Sequence, residues 1–319
     1  MSHIGLGPGG EFDRIRTIIA ELGDSGRDLG DDTAAIPDEP GTLVVSTDAS
    51  VEAIHFRREW ITAEEIGWRA TAAALSDLAA AAAQPVGTVV ALSLPTGTDE
   101  DELRNLVRGI AGAVRSAGCR VIGGDLTGGA ALSLTVTVFG RAAMPLSRRG
   151  AQPGDGVWVT GVLGGARAAL VEWQAGQVPS PAARTAFARP QSRHRVARWL
   201  AEQGATAMMD LSDGLAGDAP HLAVASGVGL EIELADVPVH PSVYATAARR
   251  GEAATAFAAV GGEDYELLVT LPTRFAQGGL AEAATGVALT WVGSVVAGEG
   301  ARFRAGGRTV PLEGFRHIT

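Results

Sequence analysis

The run "TAEEIGWRATAAALSDLAAAAAQPVGTVVALSLP", residues 62–95, decides the fold class. Its first part pairs Thr62 with Glu65 three residues on, the reciprocal signature of a helix start, and continues in strong helix formers as far as a stop expected at Pro85. From Val86 the pattern changes to a β-branched strand. A helix feeding directly into a strand indicates an α/β protein rather than an all-helical one.

The same alternation extends in both directions. "TLVVSTDAS" (residues 42–50) reads as a strand that carries Ser46, Thr47 and Asp48 at its far end. "DEDELRNLVRGIAGAVRSAG" reads as a helix with an acidic start and a stop at Gly118, followed by "CRVIGGD" as a strand running into glycines. "ALSLTVTVFGRA" alternates like a half-buried strand. Turn residues in "LSRRGAQPGDG" (146–156) break the pattern before a new strand, "VWVT". A chain of 319 residues favours two domains. The expected division is 1–147 for an N-terminal domain and 148–319 for a C-terminal domain. Beyond the boundary come a helix near "SRHRVARWLAEQG", then "AMMDLSDGLAGDAPHLAVASG", and the apolar strand "YELLVTLP".

Composition narrows the chemistry. All 26 basic residues are arginine, so a Walker A loop, a protein-kinase site and Schiff-base catalysis are excluded, since each needs lysine. A formal charge of −10 gives no general attraction for nucleic acid or anionic membranes. The single cysteine, Cys119, rules out an intrachain disulfide and a multi-cysteine zinc site. The opening residues lack a secretion-signal pattern and no apolar run reaches membrane-span length, so a cytoplasmic protein is expected.

The acidic residues fall at strand ends or among small side chains: Asp31 and Asp32 in "GDDTAAI", Asp48 in "STDAS", Asp77 in "ALSDLAA", Asp125 in "GGDLTGG", and Asp210 and Asp213 in "DLSDGL". Each has an ordinary reading as a turn, a strand terminus or a helix cap. Asp77 resists that reading, because its helical neighbours Ala73, Ala74, Ala80 and Ala81 form a smooth stripe on which a carboxylate needs a partner or a metal. Together these are hard oxygen donors, suited to Mg2+ and not to zinc or copper. Glycine-rich backbone beside such ions describes a phosphate site. "GGEDYELL" adds two glycines and acids before a strand, whereas "VWVTGVLGGARAAL" lacks the G-x-G-x-x-G order of a dinucleotide site. His55 has no second histidine at ligand spacing.

In order, "GEFDRI", "GDDTAAI", "STDASVEAIHF", "ALSDLAA", "VIGGDLTGG", "LSRRGAQPGD", "MDLSDGLAGD" and "GGEDYELL" span nearly the whole chain, and it closely resembles the thiamine-monophosphate kinases of the aminoimidazole ribonucleotide synthetase-like superfamily. The resemblance implies an α/β (α+β) two-domain fold, with an N-terminal domain that pairs its sheet in a homodimer and a C-terminal α/β sandwich. It implies magnesium-dependent transfer of the ATP γ-phosphoryl group to thiamine monophosphate, with no nucleic acid or membrane partner. Asp32, Ser46, Thr47, Asp48, Asp77, Asp125, Asp210 and Asp213 match the metal-binding positions, Asp31 more weakly. Asp213 and Asp125 are the expected catalytic pair. Gly124, Asp125, Arg148 and Ser212 match ATP positions, and His55, Glu263 and Phe315 match positions around the thiamine moiety. Phe315 stands where the family is expected to carry tyrosine or tryptophan, which removes a hydrogen bond. The alternatives are an aminoimidazole ribonucleotide synthetase-type ligase, which lacks the "GGEDYELL" pattern, and a non-catalytic nucleotide-binding relative, which would have lost metal acids.

Overall fold

The computed structural model describes residues 10–26, 29, 33, 36, 38–273, 275 and 278–314. They form two compact units, residues 1–78 with 83–145 and residues 79–82 with 146–319.

In the first unit the elements are α1 (Gly10–Leu22), β1 (Thr42–Val51), α2 (Ala63–Ala80), β2 (Gln84–Pro95), α3 (Glu100–Ala117), β3 (Val121–Gly129) and β4 (Ser133–Ala142). The strands build one sheet in the order β1-β4-β2-β3, antiparallel except for the β2–β3 pair. α3 starts on Asp99, whose carboxylate accepts from the Glu102 amide, and stops on left-handed Gly118, as the sequence predicts. Its buried stripe of Leu103, Leu106, Val107, Ile110 and Val114 recurs every three to four residues. On β4, Leu134, Val136 and Val138 are buried while the intervening residues are more exposed, so one face of the sheet carries the core. The other face is open, and Val45 on the edge strand β1 is 62% exposed.

Two boundaries differ from expectation. α2 begins with the Thr62–Glu65 capping box, each amide donating to the other's side-chain oxygen, but it ends at Ala80 and not at Pro85. The chain turns at left-handed Ala82 (φ 53°), with the amides of Ala82 and Ala83 returning to the carbonyls of Ala79 and Leu78. Pairing with β4 already begins at Gln84, and Pro85 is tolerated because the register is irregular between Pro85 and Gly87. The glycines of 123–129 also continue in strand conformation along β2.

The second unit contains β5 (Gly156–Thr160), α4 (Gly165–Gln174), α5 (Pro181–Ala188), α6 (His194–Glu202), β6 (Ala207–Leu211), α7 (Leu215–Ser226), β7 (Gly229–Glu233), α8 (Val243–Arg250), α9 (Ala254–Ala259), β8 (Glu266–Leu271), α10 (Gly278–Thr285), β9 (Leu289–Val296), β10 (Gly300–Ala305) and β11 (Arg308–Val310). Its seven strands run in the order β11-β10-β7-β9-β5-β8-β6. Alternate residues of one strand point to opposite faces, so the sheet carries two cores. Val157, Val159, Met209 and Leu268 pack with Leu215, Ala219 and Leu222 of α7. Trp158, Met208, Leu267 and Val269 pack with Val196 and Leu200 of α6 and Ala281 of α10. β8 is buried along its whole length, which accounts for its mostly apolar sequence.

Candidate active site

In the first unit, β1 and α2 bring two predicted metal positions together: the Ser46 hydroxyl donates to Asp77 Oδ2 at 2.5 Å. The helical stripe around Asp77 thus supplies a partner from the neighbouring strand. Pairing with β4 aligns Ser46 with Val138 and Asp48 with Val136, both core residues, so Ser46 and Asp48 lie on the helix-covered face. Thr47 lies on the open face, where its hydroxyl is 3.0 Å from that of Thr137.

Asp125 is exposed on β3 and pairs with Ala91, which also places it toward the open face. The conformation of Gly124 follows from the sheet itself, because a Cβ there would stand 2.2 Å from the Val90 carbonyl oxygen. That glycine therefore serves close strand packing, and the backbone beside Asp125 stays bare.

His55 follows β1 in a tight turn opened by left-handed Ala53 (φ 66°). Its Nδ1 accepts the Val51 amide at 3.1 Å, which fixes the tautomer with the proton on Nε2. Arg58, three residues on, joins Glu52 to Glu102 at the start of α3 and anchors this turn.

In the second unit, the segment between β6 and α7 gathers Asp210, Ser212, Asp213 and Asp218. Asp210 and Asp218 are buried. Asp218 Oδ2 accepts the Asp213 amide at 3.0 Å and so holds the turn. Burial, together with the charges of Asp210 and Asp213, pushes Asp218 up to about 7, and Arg148 acts in the opposite direction. Arg148, a predicted ATP position, thus lies within electrostatic reach of this acidic turn, and its carbonyl accepts from Ser226 Oγ of α7.

The loop before β8 lies directly against that turn. The Glu263 amide donates to the Ser212 carbonyl at 2.7 Å and the Tyr265 amide to the Leu211 carbonyl at 2.9 Å. Both Glu263 (φ 71°) and Tyr265 (φ 51°) are left-handed, a conformation that costs non-glycine residues about 1–3 kcal/mol and gathers at functional sites. Between them, Asp264 accepts the Gly164 amide at 2.9 Å, and burial raises its carboxyl well above the usual carboxylate range. The Gly164 amide at the start of α4 is therefore already taken by Asp264.

Asp31, Asp32 and Phe315 lie outside the described residues. Among the described residues no three His, Cys, Asp or Glu side chains are gathered closely enough to hold a metal ion. Sequence reasoning did not single out Asp218 or Tyr265. Asp218 closes "DLSDGLAGD", and a third acid within eight residues of Asp210 was a signal of local crowding.

Comparison with known proteins places residues 30–142 in the AIR synthase related protein N-terminal domain family and residues 152–312 in the corresponding C-terminal domain family. The chain is 31% identical over 313 residues to the thiamine-monophosphate kinase of Aquifex aeolicus, covering 97% of this chain and 98% of that one. The crystal structure of the thiamine-monophosphate kinase from Stenotrophomonas maltophilia K279a superposes with a TM-score of 0.82 at 32% identity, over 97% of this chain and 99% of that one. AaThiL complexed with AMPPCP and TMP gives a TM-score of 0.78 at 30% identity over the full length of both chains.

Proposed function

The chain belongs to the AIR synthase related family and, within it, to the thiamine-monophosphate kinases, and from that premise we propose how its residues carry the reaction. The protein is an ATP-dependent kinase that phosphorylates thiamine monophosphate, giving thiamine diphosphate and ADP. The observation that carries this reading is similarity over nearly the whole chain to kinases of that name, one of them complexed with AMPPCP and TMP.

The acceptor is a phosphate oxygen that is already ionised, so the reaction needs no strong protein base. Its main obstacle is the approach of two anions. With no lysine, this chain meets them with arginine and backbone amides. In this reading Gly124, Asp125, Arg148 and Ser212 contact ATP, and His55, Glu263 and Phe315 contact the thiamine moiety. With its tautomer fixed, His55 presents an Nε2–H donor.

Magnesium fits the acidic residues. The donors are hard oxygens, the chemistry that a small divalent cation prefers. Several magnesium ions are expected, for which Ser46, Thr47, Asp48, Asp77 and Asp125 would be ligands in the first unit and Asp210 and Asp213 in the second, with Asp32 from outside the described residues. Bound magnesium supplies charge neutralisation at the phosphate oxygens. Asp213 and Asp125 are the acids on which turnover depends most.

Residues 1–147 form the ATP- and magnesium-binding domain in this reading, and 148–319 the second domain. The exposed apolar positions Leu43 and Val45 on β1 support a homodimer paired through the open sheet face. A cytoplasmic enzyme belongs to this reading; no helix among the described residues is long and apolar enough to cross a membrane.

The test incubates the protein with ATP, Mg2+ and thiamine monophosphate and measures thiamine diphosphate as its fluorescent thiochrome. Product that disappears with EDTA and in Asp213→Asn supports the reading. A folded wild-type protein that makes none refutes it.

A further inference from the structure

We propose that Tyr265 is a positioning residue that holds the Glu263 carboxylate toward the cationic part of thiamine monophosphate, and so sets affinity for the acceptor without setting turnover. This rests on the reading of Glu263 as an acceptor contact. The Tyr265 hydroxyl donates to Glu263 Oε2 at 2.6 Å, a charge-assisted bond that fixes one carboxylate oxygen. The backbone around the pair is fastened at three points: Glu263 N to Ser212 O, Tyr265 N to Leu211 O, and Gly164 N to Asp264. Both partners adopt left-handed φ, which no local sequence preference favours for glutamate or tyrosine. Strain kept at two residues joined by a side-chain hydrogen bond, directly beside the acidic turn, marks the pair as held for a ligand. The thiazolium ring is a permanent cation, and an oriented carboxylate is the group that recognises one.

Steady-state kinetics of Tyr265→Phe test this, since the variant keeps the ring and loses only the hydroxyl. The KM for thiamine monophosphate should rise up to about tenfold, the cost of ordering a carboxylate that is no longer held in place, while kcat and the KM for ATP stay within about twofold. Adding Tyr265→Phe to Glu263→Gln should cost little beyond Glu263→Gln alone. An unchanged acceptor KM in Tyr265→Phe, or equal rises for both substrates, overturns the proposal. So does a variant that fails to fold, since the hydroxyl would then be structural. A wild-type protein inactive on thiamine monophosphate overturns the functional reading, and this inference with it.

Discussion

Replacing Gly262 with alanine places a methyl carbon 2.6 Å from the Ser212 carbonyl oxygen, a backbone atom that cannot swing aside. Ordinary van der Waals contact requires the two loops to part by about 0.8 Å. The Glu263 amide bond to that same oxygen, now 2.7 Å, would stretch to about 3.5 Å, the limit of a hydrogen bond. Its loss costs stability only about 0.5–1.5 kcal/mol. Function should suffer more, because the seam sets the spacing between Glu263 and the turn that carries Asp213. A misplacement near 1 Å is worth up to about a hundredfold in rate. The expected result is a kcat/KM for thiamine monophosphate reduced about ten- to a hundredfold, in a protein whose urea unfolding free energy falls by about 1 kcal/mol. A folded Gly262→Ala enzyme with kcat/KM within twofold of wild type would refute the claim that this backbone seam positions the site.

Three further outcomes follow from buried groups. Arg193 forks onto both oxygens of Glu266, which is buried and also accepts from Thr160; Arg193→Met should cost about 3–5 kcal/mol in urea unfolding, and a loss below about 1 kcal/mol would contradict a buried pair. Because the folded-state pKa of Asp264 is raised, its contribution is most favourable below the unfolded value and is lost as pH rises toward the folded one. Asp264→Asn should therefore flatten the fall in melting temperature as pH rises above about 4, and an unaltered slope would count against it. Burial pushes the Cys119 thiol up to about 11, so a thiol reagent at pH 8 should label it only after denaturation. Rapid labelling of the native protein would show that the thiol is accessible.

Local signals made much of this fold readable. The Thr62–Glu65 box, the Asp99 start and Gly118 stop of α3, and the alternation of β4 are each set by neighbours within a few residues. The end of α2 was not legible, because the alanine run carries no stop and the turn at Ala82 answers to strand pairing at Gln84. The glycines around Asp125 likewise read as breakers until β2 supplies the pairing that keeps them extended. At the candidate site, the motifs pointed to acids, but the Ser46–Asp77 contact, the seam between Ser212 and Glu263, and the crowding at Asp218 join residues distant in sequence or depend on burial. Neither is visible in a one-dimensional pattern.

The central claim is direct transfer between two phosphates, and 31P nuclear magnetic resonance of a reaction containing ATP, Mg2+ and thiamine monophosphate tests it most directly. The account predicts thiamine diphosphate and ADP appearing one for one, with no inorganic phosphate. Inorganic phosphate released without thiamine diphosphate would contradict it and indicate a ligase-type use of ATP.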